Sequence, residues 1–293
     1  MTVAIATDQG AGMSVAIVTD SGSDLTPQLL AETGIRQIPL SVTFGAESFL
    51  SPDEMTPEEF WRRLEDPGSP FAHTAAPSIG QFKKAFEDAF AEGHDSIVCV
   101  CLSEGLSATI KHARMASEML PGKDIQILDS KSASMGTGAL ALRGAALAAA
   151  GMAATDIHSR LGAMRDVTEL FVGLDTLDYL RKGGRIGTAK AAIGGLLSIK
   201  PILTTDDGLV VVCEQPRTRS KATERVLELL TARPVSELHI MYSPPADPDA
   251  FREMVLARLP KPGPKVVTTQ VLGPVIGAHI GPGAYGGILV HES

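Results

Sequence analysis

Apolar and polar positions alternate in blocks along the first half of the chain. Short apolar runs that end in polar clusters predict strands at Val15–Val18, Arg36–Phe44, Ser96–Leu102 and Ile125–Leu128. Between them, longer amphipathic segments predict helices over 26–33, 52–64, 79–90, 110–120 and 138–150. Strands that alternate with helices predict an α/β fold, a doubly wound and mainly parallel sheet.

The pattern changes after about residue 165. Strand-like runs follow at Leu170–Leu174, Gly208–Glu214, Glu237–Tyr242, Lys265–Leu272 and Gly287–Val290. Helices are predicted around Ala189–Ile193 and Lys221–Leu230. We therefore divide the chain into an extension (1–12) without assigned function, an N-terminal α/β domain (13–165) and a C-terminal α+β domain (166–293). A cleft between two domains is a common place for a ligand.

Composition narrows the possible functions. The 293 residues are 44% hydrophobic and carry a net charge of −8, so the chain is not expected to bind nucleic acid. Aromatic residues make up only 4%, which also argues against a surface for stacking bases. No signal peptide is evident, and the longest apolar stretch contains Arg143, which favours a core helix over stable membrane insertion. A cytoplasmic protein is expected.

The three cysteines do not indicate a disulfide framework. Cys99 and Cys101 alternate within one apolar run, so they are predicted to be buried thiols on the same face of a strand. The seven histidines are scattered, and neither a metal site nor a cofactor is expected. A phosphate-binding glycine loop is likewise not supported.

Ser107 follows a predicted strand and precedes a predicted helix. Its hydroxyl can cap that helix, and the turn around it can present backbone N–H groups to a carboxylate or phosphate. The segment also resembles a nucleophile elbow in which Thr109 replaces the second glycine. With Asp129 or Asp175 and His279 downstream, a serine hydrolase that uses Ser107 is an alternative hypothesis.

Further polar candidates lie at other turns. Thr74 is either a loop hydroxyl or a ligand contact, and Ser78 is a candidate helix cap. Asp129 follows a strand and is expected to cap or to orient neighbouring hydroxyls. His279 lies among five glycines, a setting in which it is either structural or a donor to an anion.

Two basic groups stand out on this acidic chain. They are either solvated loops or a docking face for a phosphate-carrying partner, so a pure interaction module is a third hypothesis. The residues are Arg181, Lys182, Arg185, Arg217 and Arg219.

Seven motifs, taken in order, resemble those of the DegV family. They run from about Met13 to the C-terminus. The motifs are Val18-Thr-Asp-Ser-Gly-Ser-Asp-Leu25, Thr74-x-x-Pro-Ser78, Leu102-Ser-x-Gly-Leu-Ser-x-Thr109, Asp129-Ser-Lys-Ser-Ala-Ser134, Leu177-x-Tyr-Leu-Arg-Lys-Gly-Gly-Arg-Ile186, Ile199-Lys-Pro-Ile-Leu203 and His279-x-Gly-Pro-Gly-Ala284.

This resemblance implies a two-domain protein that holds one long-chain fatty acid in an apolar tunnel between the domains. It implies that Thr74, Ser107 and His279 hold the carboxylate. It also implies that a separate ATP-dependent fatty acid kinase is a partner, which converts the carboxylate to an acyl phosphate, so that this chain is not itself an enzyme. Supporting roles at the turns are expected for Asp20, Ser21, Ser78, Thr109, Asp129 and Ser130.

The chain departs from the family pattern in two motifs. Ala75 and Ala76 stand where the family usually has Ser and Gln, and Ala108 stands where it usually has Gly. The hydroxyls themselves are retained, so the departures concern the surroundings of the head group.

Overall fold

The computed structural model describes residues 14–187 and 199–291. The extension (1–12) and the helix predicted around Ala189–Ile193 lie outside the described residues. The described strands are β1 (Val15–Asp20), β2 (Arg36–Ile38), β3 (Leu40–Phe44), β4 (Glu47–Ser51), β5 (Ala72–Ala75), β6 (Ser96–Cys101), β7 (Asp124–Asp129), β8 (Thr168–Gly173), β9 (Ile202–Asp206), β10 (Leu209–Glu214), β11 (Glu237–Tyr242), β12 (Val266–Val271) and β13 (Tyr285–Val290).

The described helices surround three sheets. They are α1 (Pro27–Thr33), α2 (Pro57–Glu65), α3 (Ile79–Ala91), α4 (Thr109–Glu118), α5 (Met135–Ala149), α6 (Ala154–Asp166), α7 (Asp178–Lys182), α8 (Arg219–Thr231), α9 (Pro248–Leu256) and α10 (Pro274–Ile280).

The first sheet is parallel, in the order β2-β1-β6-β7. Its side chains alternate between two covered faces. Ala16 and Val18 of β1 belong to the cluster that contains residues of α3 and α4, whereas Val15 and Ile17 belong to the cluster of α5 and α6. The α/β fold with a doubly wound parallel sheet is therefore confirmed.

The second sheet has six strands in the order β10-β9-β8-β13-β11-β12, and only β11 and β12 pair in parallel. Strands from the second half of the chain build it, as the α+β prediction required. One hydrophobic cluster includes buried residues of both the parallel and the six-stranded sheet. Packing between the two halves is thus continuous.

The strand-like run predicted within Arg36–Phe44 is confirmed, but it forms two strands. Pro39 divides it, because proline lacks the N–H that a continuing ladder needs. Residues before it form β2 of the parallel sheet, and residues after it form β3 of a small antiparallel sheet, β4-β3-β5. Neither β4 nor β5 was expected from the sequence.

The helix predicted from residue 52 begins later, at Pro57. Thr56 accepts a hydrogen bond from the backbone N–H of Glu59 and thereby caps α2. Helices α6, α7, α9 and α10 and strand β9 were also not predicted. Of these, α10 contains glycine and is flanked by glycines, a composition that favours a loop unless tertiary contacts support the helix.

The buried thiols are confirmed. Cys99 and Cys101 lie in β6, and their sulfur atoms are 3.6 Å apart. Among the described residues, no helix is both long and apolar enough to cross a membrane.

Candidate functional site

A narrow cavity lies between α10 and the six-stranded sheet. The empty space in it, including its mouth, amounts to about 910 Å³, of which the centre of a water molecule can occupy only about 100 Å³. Most of its wall is aliphatic, contributed by Leu40, Leu102, Leu106, Leu170, Val172, Leu180, Leu203, Val210, Met241, Leu272, Val275, Ile276 and Ile280. Such a space suits a thin apolar chain.

Four polar residues line one part of this cavity: Thr74, Ser107, Arg185 and His279. The first is in β5, the second is in the turn before α4, the third follows α7 and the last is near the end of α10. Positions more than 200 residues apart in sequence therefore meet in one cavity. We call these four residues the head-group site, after the role that the family resemblance implies for three of them.

A hydrogen bond joins two members of the head-group site. Thr74 Oγ1 lies 2.7 Å from His279 Nε2. The other ring nitrogen, Nδ1, is buried without a hydrogen-bond partner among the described residues. A Cβ atom placed on Gly183 would lie 2.4 Å from that nitrogen, so only glycine leaves room for the imidazole here.

The environment keeps His279 neutral. Burial, followed by the nearby Arg185 and His73, lowers its pKa from 6.5 to about 4. A neutral imidazole acts near pH 7 as a hydrogen-bond donor or acceptor and not as a cation. The positive charge of the head-group site therefore comes from Arg185.

Arg185 is half-buried and anchored by two backbone carbonyls. Its Nε donates to Leu106 O at 3.1 Å, and its Nη1 donates to Gly183 O at 2.7 Å. These bonds direct the guanidinium toward the turn that carries Ser107. We expected Arg185 in a docking face, but the structure places it in the wall of the cavity.

Ser107 is connected to a threonine rather than to a catalytic base. Its Oγ lies 2.8 Å from Thr109 Oγ1 and accepts a bond from Thr109 N at 3.3 Å. The candidate partners are engaged elsewhere: His279 with Thr74, and Asp175 with Lys200 and Arg219. The hydrolase hypothesis is not supported, because a serine nucleophile needs an adjacent base.

The expected supporting residues organise the turns. Asp20 is fully buried and accepts from the backbone N–H groups of Gly22 and Leu102, both at 2.8 Å. Ser21 accepts from Leu40 N at 2.9 Å. The bonds from Leu102 and Leu40 fix two residues of the cavity wall.

The remaining supporting residues act at helix ends and a neighbouring loop. Ser78 forms a reciprocal capping box with Gln81 at the start of α3. Asp129 accepts from Lys131 N at 2.9 Å, and Ser130 Oγ lies 2.9 Å from Thr137 Oγ1.

Asp24 has a role that we did not predict. Thr26, and not Asp24, caps α1. Asp24 instead accepts from Ser134 Oγ at 2.6 Å and from Gly273 N at 3.1 Å, which joins α5 to the start of α10. Burial raises the pKa of Asp24 to about 7, and the same cause raises the pKa of Asp20 to about 7.

The other basic candidates lie nearer the surface. Arg181, Lys182 and Arg217 are exposed. Arg219 is more constrained, because its Nη1 donates to Asp175 Oδ2 at 2.8 Å and to Gly283 O at 2.7 Å, and its guanidinium lies over Tyr285. In the part of the chain that the structure describes, no cluster of three or more His, Cys, Asp or Glu side chains is arranged for a metal ion.

The parallel sheet, the six-stranded sheet and the apolar cavity with its polar residues define a class of α/β proteins. The chain belongs to the DegV family, whose model, described as uncharacterised protein, matches residues 14–292. A DegV domain-containing protein of Mycobacterium bovis is 34% identical over 261 residues, which cover 86% of this chain and 88% of the relative.

Solved structures of family members are similar to this chain over almost its whole length. A DegV family protein from Thermus thermophilus, described for its fatty acid binding, is 31% identical with a TM-score of 0.88 and covers 96% of this chain and 100% of its own. DegV of Bacillus subtilis, a fatty acid binding protein, is 29% identical with a TM-score of 0.82 and covers 94% and 98%. A stearic acid-binding protein from Eubacterium ventriosum has a TM-score of 0.83 at 26% identity, and covers 94% and 98%.

Proposed function

We propose that the protein binds one long-chain fatty acid in the cavity, with the carboxylate at the head-group site. The observation that carries the proposal is the narrow aliphatic cavity with its hydroxyls, imidazole and guanidinium gathered in one place. The fatty acid binding described for similar family members supports it. Each buried methylene contributes about 0.8 kcal/mol, so a long tail outweighs the desolvation of one carboxylate.

The four head-group residues have different tasks in this proposal. The hydroxyl of Ser107 donates a hydrogen bond to the carboxylate. Thr74 fixes the position of His279 through their 2.7 Å hydrogen bond. The neutral imidazole contributes a hydrogen bond, and Arg185 contributes the charge. A buried carboxylate needs such partners, because an unpaired charge in an apolar site is strongly destabilised.

The ligand itself is the first test. Protein purified from cells is expected to release a fatty acid on denaturation, detected by mass spectrometry, and the delipidated protein is expected to rebind it. Ser107→Ala should weaken binding roughly tenfold to a hundredfold, because a hydrogen bond to a charged group is lost. Ser117→Ala, on the exposed side of α4, serves as the matched control. Absence of lipid from clean preparations together with no uptake of added acid would refute the proposal.

We also propose that the bound acid is presented to an ATP-dependent fatty acid kinase, which forms the acyl phosphate, and that the chain acts in the cytoplasm without a cofactor or metal of its own. The family resemblance supports this partner. The exposed Arg181, Lys182 and Arg217 are suited to its docking, because arginine and lysine bind acidic and phosphate-bearing surfaces. Arg185 and Arg219 are held by intramolecular hydrogen bonds and are therefore less available for docking.

Charge reversal separates docking from ligand binding. Arg181→Glu with Arg217→Glu is expected to lower acyl-phosphate formation by the kinase at least tenfold, because like charges oppose the encounter. The fatty acid dissociation constant should stay unchanged. Arg62→Glu on α2 is the control, since it reverses the same charge at another exposed site. Equal loss of fatty acid binding would contradict the proposed division of roles.

A further inference from the structure

The strand order defines the length of the cavity. Val210 of β10 and Met241 of β11 both line it, and four strand-to-strand steps separate their strands in the six-stranded sheet. At about 4.8 Å per step, the distance across these strands is roughly 19 Å. The cavity is therefore elongated across the sheet, and its two ends differ in chemistry.

The head-group site lies at the β10 end. A Cβ atom on Gly187, two residues after Arg185, would lie 2.7 Å from the backbone oxygen of Val210. Arg185 also donates to the turn before α4, and a Cβ atom on Gly105 in this turn would lie 2.8 Å from Leu209 of β10. A tail that starts at the head-group site thus extends over β9, β8 and β13 toward β11.

Met241, Ser134 and Leu272 close the opposite end. Met241 is 2% exposed, and its sulfur lies 3.0 Å from Ser134 Oγ. The same hydroxyl donates to Asp24, which lines an outer groove together with Gln270 and Gly273. The empty space in this groove, including open solvent, is about 1170 Å³. Ser134 lines the cavity and its hydrogen-bond partner Asp24 lines the groove, so these two side chains lie between the two spaces.

We propose that Met241 is the stop for the end of the acyl chain and thereby determines the chain length that the protein prefers. The inference rests on the proposed fatty acid function. A methionine side chain is unbranched and adaptable, so it fills the space that a shorter chain leaves. Its size, rather than the head-group site, then decides how many methylenes are buried. Behind it, Ser134 and Asp24 form a polar layer that an apolar tail does not enter without cost.

The test compares the affinities of the delipidated protein for stearate and for palmitate. Met241→Ala removes the side chain beyond Cβ and opens space for about two methylenes. Because each buried methylene is worth about fourfold in affinity, the preference for stearate over palmitate is expected to rise about sixteenfold. Met241→Phe should shift the preference in the opposite direction, toward myristate. Met254→Ala on α9, where the side chain is 40% exposed, is the matched control.

The outcomes separate the two proposals. If the wild-type protein binds none of these acids, the proposed function fails and this inference fails with it. If the wild type binds but the folded Met241 variants keep its chain-length preference, only the stop is refuted. Thermal unfolding identifies the folded variants. If Met241→Ala does not fold, the smaller truncation Met241→Val is used to test the stop.

Discussion

Replacement of Arg185 by methionine is expected to weaken fatty acid binding roughly tenfold to a hundredfold. Methionine keeps the length and apolar stem of arginine but removes the positive charge at the head-group site. His279 does not replace that charge, because burial, the largest cause of its lowered pKa, remains in the variant. The loss should therefore be nearly constant between pH 6 and pH 8, where the imidazole stays neutral in the free protein.

Two further variants test whether the charge of Arg185 causes the loss of affinity. Arg181→Met makes the same change four residues earlier, at an exposed side chain paired with Asp178, and should leave affinity unchanged. Arg185→Lys retains the charge but loses the anchoring geometry of the guanidinium. Its affinity for the fatty acid is therefore expected to lie between those of Arg185→Met and the wild type. Titration calorimetry on delipidated protein provides the measurement. If His279→Gln reduced affinity as much as Arg185→Met, and only below pH 7, the imidazole would be the cation and our assignment would be wrong.

Asp24→Asn is expected to stabilise the protein above pH 7 and to leave it nearly unchanged near pH 4. The folded-state pKa of Asp24 is raised to about 7 by burial, against 3.8 for the free side chain. As pH rises from about 4 to 7, the unfolded chain loses this proton before the folded protein does, so the free energy of unfolding falls. A shift of about three pKa units corresponds to a decrease on the order of 4 kcal/mol, complete above pH 7.

Asparagine suits the site because it resembles the protonated acid. Its carbonyl oxygen can accept from Gly273 N, and its amide can donate to Ser134 Oγ, whose own hydroxyl still reaches Met241. The slope of stability against pH should therefore become shallower in Asp24→Asn, measured by denaturant unfolding between pH 4 and pH 8. Stability should still depend on pH in this variant, because burial also raises the pKa of Asp20 to about 7.

The exposed Asp53→Asn is the control for this experiment, and it should follow the wild-type curve. A variant Asp24→Asn that is less stable than the wild type at every pH would show that the ionised carboxylate holds α5 and α10 together. In that case the hydrogen bonds from Ser134 and Gly273 would outweigh the cost of burying the charge.

Much of the parallel half could be predicted from the sequence, because strands β1, β6 and β7 are local apolar runs with polar residues after them. The motifs at Thr74, Ser107 and His279 also led to the cavity, although their carboxylate role stays a prediction. The small sheet could not be predicted in this way. In β4 the side chains are largely exposed, so the apolar alternation that predicts a half-buried strand is absent.

Long-range contacts explain what the sequence did not reveal about individual residues. Asp24 stands just before a helix, where aspartate is typical of a cap, but its partners lie 110 and 249 positions away. Arg185 belongs to a basic, glycine-rich stretch that is typical of a solvated loop. Its position in the cavity depends on the carbonyl of Leu106, 79 residues earlier, and no local pattern contains that information.

The place of β13 in the six-stranded sheet has a consequence for biosynthesis. This strand is the last described one along the chain, yet it lies between β8 and β11 in the middle of the sheet. The strands of the parallel sheet have all been translated by Asp129, so that sheet can form early, as N-terminal units do during synthesis. The six-stranded sheet, and with it the cavity floor, is joined only after translation passes Val290. Neither β8 nor β11 can therefore complete its pairing until β13 has been translated.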